Sequence, residues 1–200
     1  MRARMSIVSA GIRCELREVV LREKPAAMIA ISPKATVPVL QLAEGTVIDE
    51  SLNIMRWALA QCDPEGWLNP SDTSPDEAFA LIEKTETQLK PHLDRYKYPD
   101  RYTGTNAKEQ RVKCCNFVKV LEKSLTVMPY LFGNQACIAD IAIFPFVRQF
   151  ANTDRNWFEE SPYRHTQAWL SKLSNGNHFC VVMKKYTQWQ SGSDSVFFPE

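Results

Sequence analysis

Glu50 and Ser51 stand side by side just ahead of an apolar helical pattern made of Leu52, Ile54, Met55, Trp57, Ala58 and Leu59. A serine there is expected to cap the helix with its hydroxyl. The same hydroxyl and the free N–H groups of the first turn make a place for a carboxylate. Glu50 beside it can bind a protonated amine. An amino-acid head group, with both charges on one carbon, needs that combination. Upstream, Val37-Pro38 falls between a short helical stretch and a hairpin. A cis bond at that proline would turn the Val37 N–H and C=O outward, to pair with an extended peptide as an added strand. Both pairs have duller readings: a plain N-cap with a favourable charge for Glu50-Ser51, and an edge or turn proline for Val37-Pro38.

Other reactive residue types lack the spacing that chemistry asks for. The six cysteines form no Cys-x-x-Cys pair, and the chain is too long and too Cys-poor for a disulfide framework. They read as reduced thiols in a cytosolic protein. Adjacent Cys114 and Cys115 point to different faces of a helical pattern and read as packing. His92, His165 and His178 have no zinc spacing with each other or with a cysteine, so no metal site is expected.

The elements that must position Val37, Glu50 and Ser51 lie in residues 1–62. Met1, Met5, Val8 and Ile12 repeat at helical offsets, with Gly11 as a C-cap. Arg2, Arg4 and Arg13 faintly imitate a targeting peptide, but the apolar part is short and broken by Ser6, Ser9 and Gly11. A folded helix is the preferred reading. Glu15 to Val20 alternates and reads as a strand, Pro25 opens a short helix, and Ser32-Pro33 ends it. Val37 to Leu42 and Thr46 to Asp49 read as strands joined by a two-residue Glu44-Gly45 turn, and the Ser51 helix follows. The order is α-β-α-β-β-α.

Residues 63–75 hold three prolines, Gly66 and several capping residues, as a linker would. Residues 76–190 read as an all-α domain, with helices expected over 76–96, 106–125, 138–150, 162–173 and 178–186. The 138–150 pattern is apolar almost all round, hence buried. Residues 191–200 form a tail, flexible at Ser191 to Ser195. The chain has 200 residues, 44% hydrophobic, and a formal net charge of +1. That balance recruits neither nucleic acid nor a membrane surface. No run approaches the roughly 18 apolar residues of a membrane span.

The stretch "LREKPAAMIAISPKATVPVLQLAEGTVIDESLNIMRWAL" resembles the thioredoxin-like half of cytosolic glutathione transferases. "CIADIAIFPFVRQF" resembles the family's buried sixth helix with its capping box, and "RARM" resembles the first helix of the cysteine-type and omega-like bacterial classes. The resemblance implies a thioredoxin-like domain over 1–62 followed by the family's all-α domain. It implies glutathione as co-substrate, a small electrophilic or disulfide second substrate, and a homodimer. Carried over residue by residue, Val37 pairs with the cysteinyl part of glutathione. Glu50 and Ser51 hold the γ-glutamyl head, and Lys24 reaches the glycyl end. Asp140 is the helix-capping aspartate. Its partner at the N-cap is Cys137, a poor acceptor, so a weakened cap is expected. Pro145 is expected to kink that helix.

One departure bears on activity. The family's first strand and nucleophile turn do not precede "RARM" in this sequence, so no catalytic residue is assigned, and Cys14 follows the helix rather than preceding it. The thioredoxin-like half is expected to lack a central strand. Three explanations stand: a start placed about 10–20 residues too late, which is preferred, a decaying copy, or a non-catalytic variant. The functional expectation is a glutathione transferase or thiol transferase. The alternative is a non-catalytic interaction module or inactive copy of the same fold.

Overall fold

The structure is a computed structural model that describes residues 1–70 and 73–200. Ser71 and Asp72, inside the expected linker, lie outside the described residues. Contacts divide the chain into Met1–Glu65 with Asn177–Glu200, and Gly66–Gly176.

The first unit opens with α1 (Arg2–Ser9). Its end is set by Gly11, whose φ of 65° few other residues tolerate. Gly11 N–H bonds to Val8 O at 3.1 Å and Ile12 N–H to Ile7 O at 3.1 Å, the two bonds of a Schellman ending. The expected stripe of four apolar residues understates how deeply this helix sits. Arg2, Ser6 and Ser9 are buried with Ala3, Met5 and Ile7, because α1 packs on α3 (Ser51–Gln61) and also on α10 (Asn177–Val182).

The remaining elements are β1 (Cys14–Glu15), α2 (Ala26–Ile31), β2 (Val39–Gln41), β3 (Val47–Asp49) and β4 (Phe197–Phe198). The order of elements through residue 61 is the expected one. The strand expected over 15–20 shrinks to two residues, and its partner is β4, with Cys14 opposite Phe198 and Glu15 opposite Phe197. β2 and β3 form a separate antiparallel pair, so no sheet of the described residues has more than two strands. Their connection is not a two-residue turn. Gly45 N–H bonds to Leu42 O at 2.9 Å and Leu42 N–H to Thr46 O at 2.8 Å, with Gly45 at φ 93°. That is a three-residue loop closed by a glycine bulge. The segment at Ser191 to Ser195 is exposed, but Phe198 beyond it is buried at 1%.

The second unit is helical. It contains α4 (Pro75–Lys84), α5 (Lys90–Lys97), α6 (Ala107–Val127), α7 (Ile138–Thr153), α8 (Arg155–Glu160) and α9 (Arg164–Ser174). The single helix expected over 76–96 is interrupted by a π-helical turn at Thr85–Leu89. Pro91 supplies no N–H for the regular ladder, and the Thr85 and Thr87 hydroxyls donate back to Leu81 O and Glu83 O, each at 2.9 Å. α8 was not expected. Asp154 creates it by accepting the Trp157 N–H at 3.2 Å.

α7 is the axis of this unit. Eleven of its residues are buried, as its all-round apolar pattern demands. Phe150 alone meets Tyr96, Trp157 and Phe158 with ring centroids 5.8, 5.8 and 6.0 Å away. Asp140 closes the capping box by accepting the Cys137 N–H at 2.9 Å. The Cys137 sulfur stands in the acceptor place toward the Asp140 N–H, and burial, with the Asp140 charge, pushes its thiol up to about 12. A neutral thiol is a weak acceptor. Cys137→Ser is therefore expected to raise stability by about 1 kcal/mol in chemical denaturation.

A second cap crosses between helices. Glu122 of α6 accepts the His165 N–H at 3.0 Å, the Thr166 N–H at 2.8 Å and the Thr166 hydroxyl at 2.7 Å, at the start of α9. Burial pushes its carboxyl up, but these donors outweigh it and hold the group below its usual 4.5. A depressed carboxyl contributes stability that is complete above its unfolded pKa and disappears as pH falls through the folded one. Glu122→Gln should cost about 1–3 kcal/mol at neutral pH. The gap from the unmodified chain should narrow once melts are taken below pH 4.5.

Candidate functional site

The hairpin register sets the geometry of the candidate site. Val39 pairs with Asp49, so the residues before Val39 and those after Asp49 leave the same end of the β2–β3 pair. Val37, Glu50 and Ser51 are thereby placed at one end of one hairpin. Val37-Pro38 is cis, as expected, and Val37 is 45% exposed. Its peptide groups bond to no other described residue.

Ser51 is not the N-cap. Glu50 holds that position, with φ 65° and ψ 128°, and no side chain caps the helix. Ser51 is instead the first helical residue. No described side chain caps the early N–H groups of α3. A non-glycine residue held at such a φ costs on the order of 1–3 kcal/mol, and such outliers cluster at binding sites. The Asn53 side chain donates to Asp49 O at 3.2 Å and steadies the strand-to-helix junction.

Lys34 was missed by the sequence reasoning. Its ammonium lies 3.2 Å from Asp49 and 4.0 Å from Glu50, all three being solvent-accessible. The carboxylates at this end of the hairpin thus already attract an amine. The available signal was a lysine on the short connection leading into Val37. Lys24 is half-buried ahead of α2, and no hydrogen bond or ion pair joins it to Val37, Glu50 or Ser51. The hairpin register brings Val37, Glu50 and Ser51 to one end of the β2–β3 pair.

The thiols whose titration is shifted are all raised by burial. Burial pushes Cys14 up, partly offset by Arg4, and burial pushes Cys114 up to about 12. Cys62 ends α3, at the opposite end of that helix from Ser51. Among the described residues no three His, Cys, Asp or Glu side chains are grouped to hold a metal. No described helix is long and apolar enough to cross a membrane.

Comparison with known proteins gives consistent matches. The family pattern described as "Glutathione S-transferase, N-terminal domain" matches residues 1–61. The one described as "Glutathione S-transferase, C-terminal domain" matches residues 76–177. The chain is 26% identical over 159 residues to glutathione S-transferase PM239X14 of Arabidopsis thaliana, across 74% of this chain and 72% of that one. Glutathione S-transferase U22 of the same plant is 26% identical over 165 residues, across 80% and 69%. Among solved structures, the class Gtt2 glutathione S-transferase of Vibrio parahaemolyticus superposes with a TM-score of 0.74 at 19% identity, covering 89% of each chain. Poplar glutathione transferase F1 gives 0.75 at 17% identity, covering 91% of this chain and 90% of that one. At these identities the structural likeness is one of fold.

Proposed function

The chain belongs to the glutathione S-transferase family, and on that premise we propose that it binds glutathione at the end of the β2–β3 hairpin. Glu50 takes the γ-glutamyl amine, and Ser51 with the first N–H groups of α3 takes the carboxylate on the same carbon. Val37 pairs through its backbone with the cysteinyl part. Lys24 reaches the glycyl carboxylate. The observation that carries this reading is the uncapped start of α3 behind a strained Glu50. The ammonium of Lys34 beside Asp49 and Glu50 supports it, because it fills the role an α-amine would take.

The reaction proposed is transfer of glutathione to a small electrophile, or reduction of a mixed disulfide. "RARM" and Lys24 favour the cysteine-type, omega-like classes. The homodimer of the family and a cytoplasmic home for the reduced thiols belong to the same proposal. The experiment pairs two steady-state assays on this chain, glutathione conjugation to a small aromatic electrophile and reduction of a glutathione mixed disulfide. Turnover in either supports the enzymatic reading. Binding of glutathione with turnover in neither replaces it with the second reading, a glutathione-binding interaction module.

A further inference from the structure

The C-terminal segment loops around residues 14–18. Trp189 N–H bonds to Glu18 O at 2.9 Å, and Gln188 bridges Glu18 in the parallel sense. The chain then reverses at Gln190–Ser193, where Ser193 N–H bonds to Gln190 O at 2.9 Å and Gly192 takes φ 88°. It returns antiparallel, with Leu16 N–H on Val196 O at 2.7 Å and Cys14 and Glu15 opposite Phe198 and Phe197. A Lys184–Glu200 ion pair closes the base of the loop.

Arginines on α1 and around β1 hold the aromatic rings of this loop. Arg4 lies 5.5 Å from the ring centroids of both Tyr186 and Phe198. Arg13 lies 4.3 Å from Phe197, and Arg17 4.8 Å from Trp189. Arg4 is itself oriented by an ion pair with Glu18. The Cys14 thiol donates to Phe198 O at 3.5 Å, so it lies directly beneath the loop.

We propose that residues Lys184–Glu200 are a displaceable strap in a peptide groove built by α1 and residues 13–18, a groove that selects extended chain bearing aromatic side chains. Backbone pairing along 14–18 supplies the strand-addition mode, and the three arginines supply the side-chain preference. The occupant is this chain's own C-terminal segment. It is displaceable because Phe198 is its one buried residue, while most of the other ordered residues stay exposed. A segment ordered by so little burial opens well before the rest of its unit.

Cys14 reports the state of the strap, with exposed Cys62 and Cys180 as references on the same molecule. Alkylation by iodoacetamide is followed at each cysteine by mass spectrometry on the full chain. In Phe198→Ala, Cys14 should react about ten-fold faster relative to the references. A synthetic peptide of residues 184–200 added in trans should return it to the unmodified rate, and a scrambled peptide should not. Phe197→Ala, which removes an exposed ring and no core, should accelerate Cys14 by about two- to five-fold with helical circular dichroism unchanged. That variant decides the matter if Phe198→Ala loses its helical signal. An unchanged Cys14 rate in Phe197→Ala overturns the proposal. Failure of the peptide to protect a folded Phe198→Ala chain overturns it as well.

Discussion

Asp140→Ala is expected to destabilise the helical unit by about 3–5 kcal/mol, the cost of breaking a buried charged network. Asp140 is fully buried, and three donors converge on it. Cys137 N–H reaches one oxygen at 2.9 Å, while Leu131 N–H at 3.0 Å and Trp169 Nε1–H at 2.8 Å reach the other. Burial pushes its carboxyl up, and these three bonds offset only part of that rise. Alanine strands all three donors in the core. Trp169 then also loses its register against Phe144, an edge-on contact with centroids 6.3 Å apart. Asp140→Asn keeps an acceptor for Leu131 and Trp169 but turns an amide toward the Cys137 N–H, so about 1–3 kcal/mol is expected. Thermal melts check both, at about 2–4 °C for each kcal/mol in a chain of this length. Equal losses in the two variants would mean that the charge, and not the donor network, is what the fold uses.

Ser51→Asp is the second large effect, and it runs in opposite directions in two measurements. An aspartate on the first turn of α3 complements the helix dipole and should raise stability by a few tenths to about 1 kcal/mol. The same carboxylate occupies the place proposed for the γ-glutamyl carboxylate. Glutathione affinity should fall at least about 100-fold, on the order of 3 kcal/mol. A melt and a binding titration on one preparation suffice. If Ser51 were only a helix-start residue, stability would rise and affinity would not move.

The parts of the fold legible in the sequence were those decided by neighbours in the chain. Gly11 ends α1 because a left-handed residue was needed a few places after the last apolar position. Asn106 starts α6 with its side chain on the Lys108 and Glu109 N–H groups, and Asp140 caps α7 from three residues away. What stayed hidden was decided across the chain or by uncommon backbone. The strand from Glu15 onward shortens because its partner is Phe197–Phe198, a pairing no local pattern announces. The same distance hid the grip of Arg4, Arg13 and Arg17 on the C-terminal rings.

The candidate site divides in the same way. Val37 and the Glu50-Ser51 pair were visible as residue types flanking the open end of a hairpin. The displacement of the N-cap from Ser51 to Glu50 was not, because glutamate rarely takes a positive φ and nothing in its side chain foretells one. Lys34 escaped notice because a lone surface lysine is usually only solvated. Its meaning comes from lying 3.2 Å from Asp49.

Isothermal titration of reduced glutathione into this chain and into Glu50→Ala, side by side, decides whether the hairpin end holds the γ-glutamyl head. Saturable one-to-one heat is expected for the unmodified chain, and affinity at least about ten-fold weaker for Glu50→Ala at unchanged melting temperature, the loss of one charge-assisted bond. Two superimposable isotherms, or no heat from the unmodified chain, would contradict that placement.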